Sequence, residues 1–196
     1  AGASASIVSL IARCKAEGRR GLIFLTGVPG SGKTLAGLHA VHSAIGDSGR
    51  LTGDVVYLSG NTPLVTVLRE SLTEDEYARR TRGGERIRKA DVRASVRARI
   101  QHIMDFLREY MSDTQERPPH EGAIIFDEAQ RAWDAAYGKQ KFNRSASEPT
   151  LLLDIMGRQA GWCAIVGLIG GGQEINSGEN GMAEWGDALR ALPEGQ

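Results

Sequence analysis

The sequence predicts an α/β fold, with a mainly parallel β-sheet that is covered by helices on both faces. Short, almost wholly apolar runs of strand length alternate along the 196 residues with segments of helical periodicity. Strands without polar alternation are typical of parallel sheets that are buried on both sides. In addition, a glycine-rich loop joins the first strand to the helix after it, and polar residues follow the other strands.

The predicted elements follow one another in the order expected of such a fold. A first helix is expected to begin at Ser4 or Ser6 and to end near Gly18, because these residue types favour helix termini. The predicted strands cover residues 22–26, 54–58, 123–126 and 162–169. The predicted helices between them cover residues 35–45, 64–72, 92–110 and 150–158.

The loop after the first strand fits the phosphate-binding pattern G-x-x-x-x-G-K-[ST], also called Walker A. It consists of Gly27, Val28, Pro29, Gly30, Ser31, Gly32, Lys33 and Thr34. Glycines allow backbone N–H groups to surround phosphates, and the helix that follows adds a favourable dipole. Lys33 is expected to reach the β- and γ-phosphates, and the Thr34 hydroxyl to ligate Mg²⁺. The alternative is a glycine–proline turn with a surface lysine, but the flanking strand and helix favour phosphate binding.

An acidic pair and a glutamine follow the last two predicted strands. In an open α/β sheet, ligands bind beyond the carboxyl ends of the strands, so these residues can converge on one nucleotide. Asp127 is predicted, as in a Walker B motif, to hold Mg²⁺ through water or Thr34, and Glu128 to orient or deprotonate the attacking water. Gln173 is predicted to sense the γ-phosphate, and a turn residue after three glycines is the alternative.

Residues 79–108 form a strongly basic region, with ten basic and three acidic residues and hence a local excess of seven positive charges. In its second half, apolar residues recur at steps of three and four, which predicts one amphipathic helix packed on a single face. A nucleic-acid-facing insertion that includes Arg82, Arg86 and Arg88 is one interpretation. A solvated helix face beside a flexible basic loop is the other, and the residues do not decide between them.

The composition is that of an ordinary globular protein. Hydrophobic residues make up 41% and charged residues 24% of the chain, and the formal net charge is zero. No apolar run approaches the ~20 residues of a membrane span, so we expect a cytoplasmic protein without a membrane partner. Cys14 and Cys163 lie far apart in apolar patterns, which favours two buried thiols in a reducing compartment over a disulfide or a metal site.

Several stretches resemble the Schlafen-group DNA/RNA helicase-like domain family and, more broadly, the first RecA-like lobe of a superfamily 1 helicase. The stretches that carry the resemblance are residues 24–30, 58–61, 126–133, 147–149 and 166–175. Together they span most of the chain, from about residue 20 to residue 190. The resemblance implies a RecA-like P-loop NTPase fold and ATP-dependent action on nucleic acid.

The resemblance also implies roles for particular residues. ATP and Mg²⁺ would be the cofactors, and single-stranded DNA or RNA the partner. Lys33 and Thr34 would take the P-loop roles, and Asp127 and Glu128 the Mg²⁺ and water roles. Gln173 would couple the γ-phosphate to the nucleic-acid track. A single-strand backbone would be gripped, through backbone amides and short polar groups, by Ser59, Gly60 and Asn61.

The sequence departs from the helicase pattern in two places. Ile169 and Gly170 stand where the fourth strand of such helicases usually carries Gly-Asp, which weakens the role given to Gln173. The chain also ends at Gln196 without a second RecA-like lobe. We therefore expect residues 1–196 to form one ATPase lobe, with 72–120 as a basic helical insertion and linker. A second lobe or flanking domains are expected partners in the full-length protein, and slow or incomplete activity is expected from this lobe alone.

Three function classes remain in view. The first is the ATP-hydrolysing lobe of a DNA or RNA helicase or translocase. The second is a nucleotide-dependent conformational switch that does not translocate, which would use the same residues. The third is a P-loop kinase for a small molecule, which Glu128 disfavours because a water-activating carboxylate promotes wasteful hydrolysis of ATP.

Overall fold

A computed structural model describes residues 2–43, 55–133, 146–170 and 181–192, and these form a five-stranded sheet with helices on both faces. The strands are β1 (Arg20–Gly27), β2 (Val55–Ser59), β3 (Ile100–His102), β4 (Ala123–Phe126) and β5 (Cys163–Gly170). Their order in the sheet is β1-β5-β4-β2-β3, and all four neighbouring pairs are parallel. The predicted fold class is therefore confirmed in its α/β, parallel, doubly covered form.

Seven α-helices and one short 3₁₀ helix (Ala129–Arg131) lie within these ranges. The α-helices are α1 (Ala3–Glu17), α2 (Lys33–Ser43), α3 (Thr62–Arg82), α4 (Lys89–Arg99), α5 (Ile103–Met111), α6 (Glu148–Gly157) and α7 (Met182–Arg190). The predicted serine cap of α1 is wrong, because the helix already begins at Ala3 and Gly2 occupies the cap position. Its predicted end is confirmed: Gly18 closes the helix in the left-handed conformation.

The central strands are buried on both sides, as their uninterrupted apolar runs predict. Along β2, Val55 and Tyr57 pack in a core with α1, α2, α3 and α4. The alternate residues, Val56 and Leu58, pack in a second core with α5, α6 and α7. Strands β4 and β5 alternate in the same way. Their regular alternation fixes which helices lie on which face of the sheet.

The prediction of one helix over residues 92–110 is wrong, because strand β3 divides it into α4 and α5. Val92, Val96 and Ile100 pack in the core with α1 and α2, whereas Ile103 and Leu107 pack in the opposite core. The short strand thus carries the chain around the edge of the sheet from one face to the other. Periodic apolar spacing marks which residues are buried, but it does not reveal this change of face.

All five strands end at one edge of the sheet, which we call the carboxyl edge. The pairing of Gly27 with Gly170 and of Leu58 with Phe126 aligns the ends of four strands there. Strand β5 lies between β1 and β4, so the loop after β1 and the residues after β4 are separated by one strand. A contact between these two segments therefore requires a side chain that reaches across β5.

The two cysteines form no disulfide. Cys14 is half-buried, Cys163 is buried, and both are free thiols. Burial raises the pKa of the Cys163 thiol above its ordinary value.

Within the ranges that the structure describes, none of the helices combines the length and the hydropathy needed to cross a membrane.

Gly167 provides a test of the packing behind the carboxyl edge. A Cβ at this position would lie 2.7 and 2.8 Å from two ring atoms of Phe24 and 3.0 Å from the Cβ of Ala129. The Phe24 ring is itself packed edge-on against Trp185, with ring centroids 5.6 Å apart. We expect Gly167→Ala to lower the free energy of unfolding by about 1–3 kcal/mol, as overpacked cores do.

The measurement is urea unfolding of the two variants Gly167→Ala and Gly161→Ala. Gly161 is the matched control, because a Cβ there would meet no atom within 4 Å. Equal stability of both variants and the wild type would contradict the packing described for β5.

Candidate nucleotide-binding site

The predicted P-loop connects β1 to α2 at the carboxyl edge and lies at the protein surface. Gly30 and Gly32 have φ angles of +76° and +83°, which residues with a Cβ rarely adopt. Most of the loop is exposed, and Val28 retains 70% of its accessible surface. A ligand can therefore reach the backbone of the loop and the first turn of α2.

The Lys33 side chain folds back over this loop. Its ammonium donates hydrogen bonds to the carbonyl oxygens of Gly27 (2.8 Å) and Val28 (2.9 Å), and a longer one to the hydroxyl of Ser31 (3.4 Å). These contacts use all three donors of the ammonium group. Lys33 thus lies over the loop, with its charge beside the backbone that the sequence predicts to surround phosphates.

Thr34 connects the loop to the end of β4, although 93 residues separate it from Asp127. The Thr34 hydroxyl lies 3.3 and 3.2 Å from the two carboxylate oxygens of Asp127. Helix α2 makes this possible, because it passes over β5 and brings its first turn to the neighbouring strand. The two residues that were predicted to share one Mg²⁺ are therefore adjacent.

Asp127 is almost fully buried, with 3% of its surface exposed. Burial raises the pKa of its carboxyl group above the ordinary value, and the hydrogen bond from Tyr57 opposes that rise. The Tyr57 hydroxyl donates to the Oδ2 atom of Asp127 over 2.6 Å. Burial and the neighbouring Asp127 strongly raise the pKa of Tyr57, so this hydroxyl keeps its proton and remains a donor. The sequence did not suggest a role for Tyr57.

Glu128 has a backbone conformation that is uncommon for a residue with a side chain. Its φ and ψ angles are 54° and 44°, in the left-handed region. Such strain persists only where the surrounding structure enforces it, and it is common at functional sites. The chain turns sharply at Glu128, and the 3₁₀ helix begins directly after it.

Gln130 forms a hydrogen bond with the Glu128 carboxylate. Its side-chain amide donates to the Oε2 atom of Glu128, and its Oε1 atom accepts the backbone N–H of Gly170 over 3.0 Å. Only 6% of Gln130 is exposed, and its contact with Gly170 is buried, whereas its contact with Glu128 is partly buried. The predicted catalytic carboxylate is thereby tied to the end of β5, a link that spacing along the sequence could not reveal.

The three residues predicted to grip a single strand lie at the carboxyl end of β2. They line a cavity of about 230 Å³ that also contains Asp127, Glu128, Arg131 and Trp133. Ser59 is buried, and its hydroxyl accepts the backbone N–H of Asn61 over 3.2 Å. The Asn61 side chain caps α3 by accepting from the N–H of Leu64 over 3.1 Å. The predicted strand-binding residues and Glu128 therefore share one cavity.

Arg82, Arg86 and Arg88 lie in a different part of the molecule. Helix α3 begins at the carboxyl edge and runs back, so that Arg80 lines a cavity with Val55, the first residue of β2. The three arginines follow this point, and all are exposed. The structure does not bring them together with the cavity beside Glu128.

Acidic residues of α3 offset much of the charge in the basic region. Glu76 accepts from both Arg80 (2.8 Å) and Arg99 (2.6 Å), while Glu70 lies 3.4 Å from Arg93. Further ion pairs of the region are Lys89–Glu74, Arg88–Asp91, Arg108–Asp105 and Arg80–Glu85. Glu70, Glu74 and Glu76 precede residue 79, so the counted excess of seven charges did not include them.

Gln173, the predicted γ-phosphate sensor, lies outside the described residues.

Similarity to known proteins places the chain in a family. No curated protein matches the chain. The crystal structure of the Pyrococcus furiosus Hef helicase domain is similar, with a TM-score of 0.49 and 16% sequence identity, over 93% of this chain and 35% of that one. A family model for the Schlafen group 3 DNA/RNA helicase domain matches residues 20–194. The chain therefore belongs to the Schlafen group 3 DNA/RNA helicase domain family, which confirms the resemblance.

Proposed function

We propose that this chain is the ATP-binding and ATP-hydrolysing lobe of a helicase-like protein that acts on DNA or RNA. The observation that carries the proposal is the contact between Thr34 and Asp127. It joins the predicted phosphate-binding loop to the predicted Mg²⁺ carboxylate, although the two motifs are far apart in sequence. Membership of a helicase domain family supports the nucleic-acid part of the proposal.

The residues at this point suit a magnesium nucleotide. Mg²⁺ prefers oxygen ligands, usually one or two protein groups together with water and phosphate oxygens. The Thr34 hydroxyl and the Asp127 carboxylate supply such oxygens beside the exposed loop. When bound, Mg²⁺ would neutralise the negative charge that develops on the phosphate oxygens.

Each protein group then has a defined task. The N–H groups of the loop and the α2 terminus bind phosphate oxygens. The Lys33 ammonium exchanges its bonds with the carbonyls of Gly27 and Val28 for bonds with phosphate oxygens. Glu128 orients the attacking water and accepts its proton, because a carboxylate beside the γ-phosphate is suited to both tasks. Gln130 fixes one oxygen of Glu128 and leaves the other for water.

The cavity of Ser59, Gly60 and Asn61 is the proposed track for a single strand. Its position supports this role, since Glu128 lines the same cavity. A strand that enters the cavity would contact residues directly beside the water-orienting carboxylate. The exposed arginines Arg82, Arg86 and Arg88 are proposed as a separate, outer contact for the phosphate backbone.

Replacement of Lys33 tests the nucleotide-binding loop. We expect Lys33→Ala to weaken the binding of a fluorescently labelled ADP by about 10- to 100-fold, because hydrogen bonds to charged groups contribute about 1.5–3 kcal/mol. Arg86→Ala is the matched control, since it removes one exposed positive charge outside the loop. Unchanged affinity of the Lys33 variant would remove the loop from the proposed site.

Replacement of Glu128 tests the catalytic step. We expect Glu128→Gln to bind ATP as the wild type does and to lose about 100-fold or more of its turnover, the usual contribution of a general base. The amide oxygen of the new side chain can still accept from Gln130, so the local structure should persist. Phosphate release is the measurement, with the exposed Glu85→Gln as control. Turnover at the wild-type rate would exclude Glu128 as the base.

A further inference from the structure

The hydrogen bond between Tyr57 and Asp127 gives β2 a direct connection to the proposed magnesium site. At 2.6 Å it is much shorter than the two contacts of Asp127 with Thr34, at 3.2 and 3.3 Å. Hydrogen bonds to ionised acceptors are shorter and stronger than those between neutral groups. The Tyr57 hydroxyl is therefore the dominant constraint on the Asp127 side chain among the contacts that the structure describes.

The Tyr57 ring is fully buried and closely packed. The residue has no exposed surface, and it packs in the core that α2 covers. A Cβ on Gly37 of α2 would lie 3.4 Å from the Cε2 atom of the ring, so the helix backbone approaches it closely. The ring is thus packed closely against α2, and its hydroxyl lies beside the end of β4.

The backbone of Asp127 is tied to the same strand. Its N–H donates to the carbonyl oxygen of Leu58 over 2.9 Å, which extends the pairing of β2 and β4 by one residue. Main chain and side chain of Asp127 are therefore both fixed to β2. With Oδ2 engaged by Tyr57, the direction in which Oδ1 points is also set.

We propose that Tyr57 is a positioning residue that orients the Asp127 carboxylate for Mg²⁺. The inference rests on the proposed function, because it requires that Asp127 binds the ion directly or through water. Groups behind metal-binding side chains commonly fix their orientation in this way. Tyr57 differs from Thr34 and Glu128 in that it would touch neither the nucleotide nor the ion.

A purely structural role is the competing explanation. The Tyr57 hydroxyl could serve only to satisfy a buried carboxylate, and its loss would then lower stability without a specific effect on Mg²⁺. The two explanations differ in one measurable quantity. A positioning role changes the Mg²⁺ concentration needed for nucleotide binding, but leaves Mg²⁺-free nucleotide binding unchanged.

The test is Tyr57→Phe, which removes the hydroxyl and keeps the ring that fills the core. Binding of fluorescently labelled ADP is measured across a Mg²⁺ titration and again with the ion chelated. We expect the half-saturating Mg²⁺ concentration to rise about tenfold, the lower end of the effect of such supporting groups. Affinity for labelled ADP without Mg²⁺ should remain within about twofold of the wild type, because the phosphate-binding loop is untouched.

Tyr110→Phe is the matched control. Tyr110 is also buried, and its hydroxyl also donates to a carboxylate, that of Glu121 over 3.1 Å. It lies on α5, in the other core, and does not contact Asp127. Its replacement should leave the Mg²⁺ dependence unchanged, which separates loss of the Tyr57 contact from loss of any buried tyrosine hydroxyl.

Three results would overturn the inference. An unchanged Mg²⁺ dependence in Tyr57→Phe would exclude positioning and leave the proposed function intact. Equal weakening with and without Mg²⁺ would assign Tyr57 a purely structural role. A wild-type chain that binds no labelled ADP at any Mg²⁺ concentration would overturn the proposed function and, with it, the role of Tyr57.

Discussion

The candidate site depends on one buried carboxylate, Asp127, and on the hydrogen bonds that hold it. A carboxylate with 3% of its surface exposed is costly unless its oxygens are satisfied. Tyr57 supplies a bond from β2, and Thr34 supplies one from α2. Strand β4, the phosphate-binding loop and the neighbouring strand are therefore connected at a single side chain. The rest of the fold brings these three elements to that point.

The parallel sheet makes this arrangement possible. Because all strands end at the same edge, residues that follow β1, β2 and β4 lie close together despite large separations in sequence. Strand β5 keeps the loop and Asp127 one strand apart, and α2 closes the gap through Thr34. Gln130 joins Glu128 to β5 in turn. Strand β3 supports the cavity beside Glu128, because the Nε2 atom of its His102 lies 3.1 Å from the carbonyl oxygen of Gly60.

Local patterns predicted much of this arrangement, and contacts between distant residues account for what they missed. The loop and the acidic pair were recognisable because their residues are consecutive, and apolar runs located four of the five strands. Strand β3 was missed because burial spacing does not reveal which face a residue packs against. Helix α7 also went unpredicted, although its Trp185 is fully buried and donates to the carbonyl of Ala129 over 2.9 Å. Tyr57 contacts Asp127 across 70 residues of sequence, a separation that no motif spans.

Glu128 lines the cavity of Ser59 and Asn61 and directly follows Asp127, so the proposed nucleic-acid track adjoins the proposed magnesium site. The most direct test is steady-state ATP hydrolysis by the longest natural form of the protein. It should be measured alone and with single-stranded DNA, single-stranded RNA and duplex. The account predicts that one of the single strands stimulates turnover at least several-fold. Measurable turnover that is indifferent to every nucleic acid would contradict it and would favour a nucleotide-dependent switch.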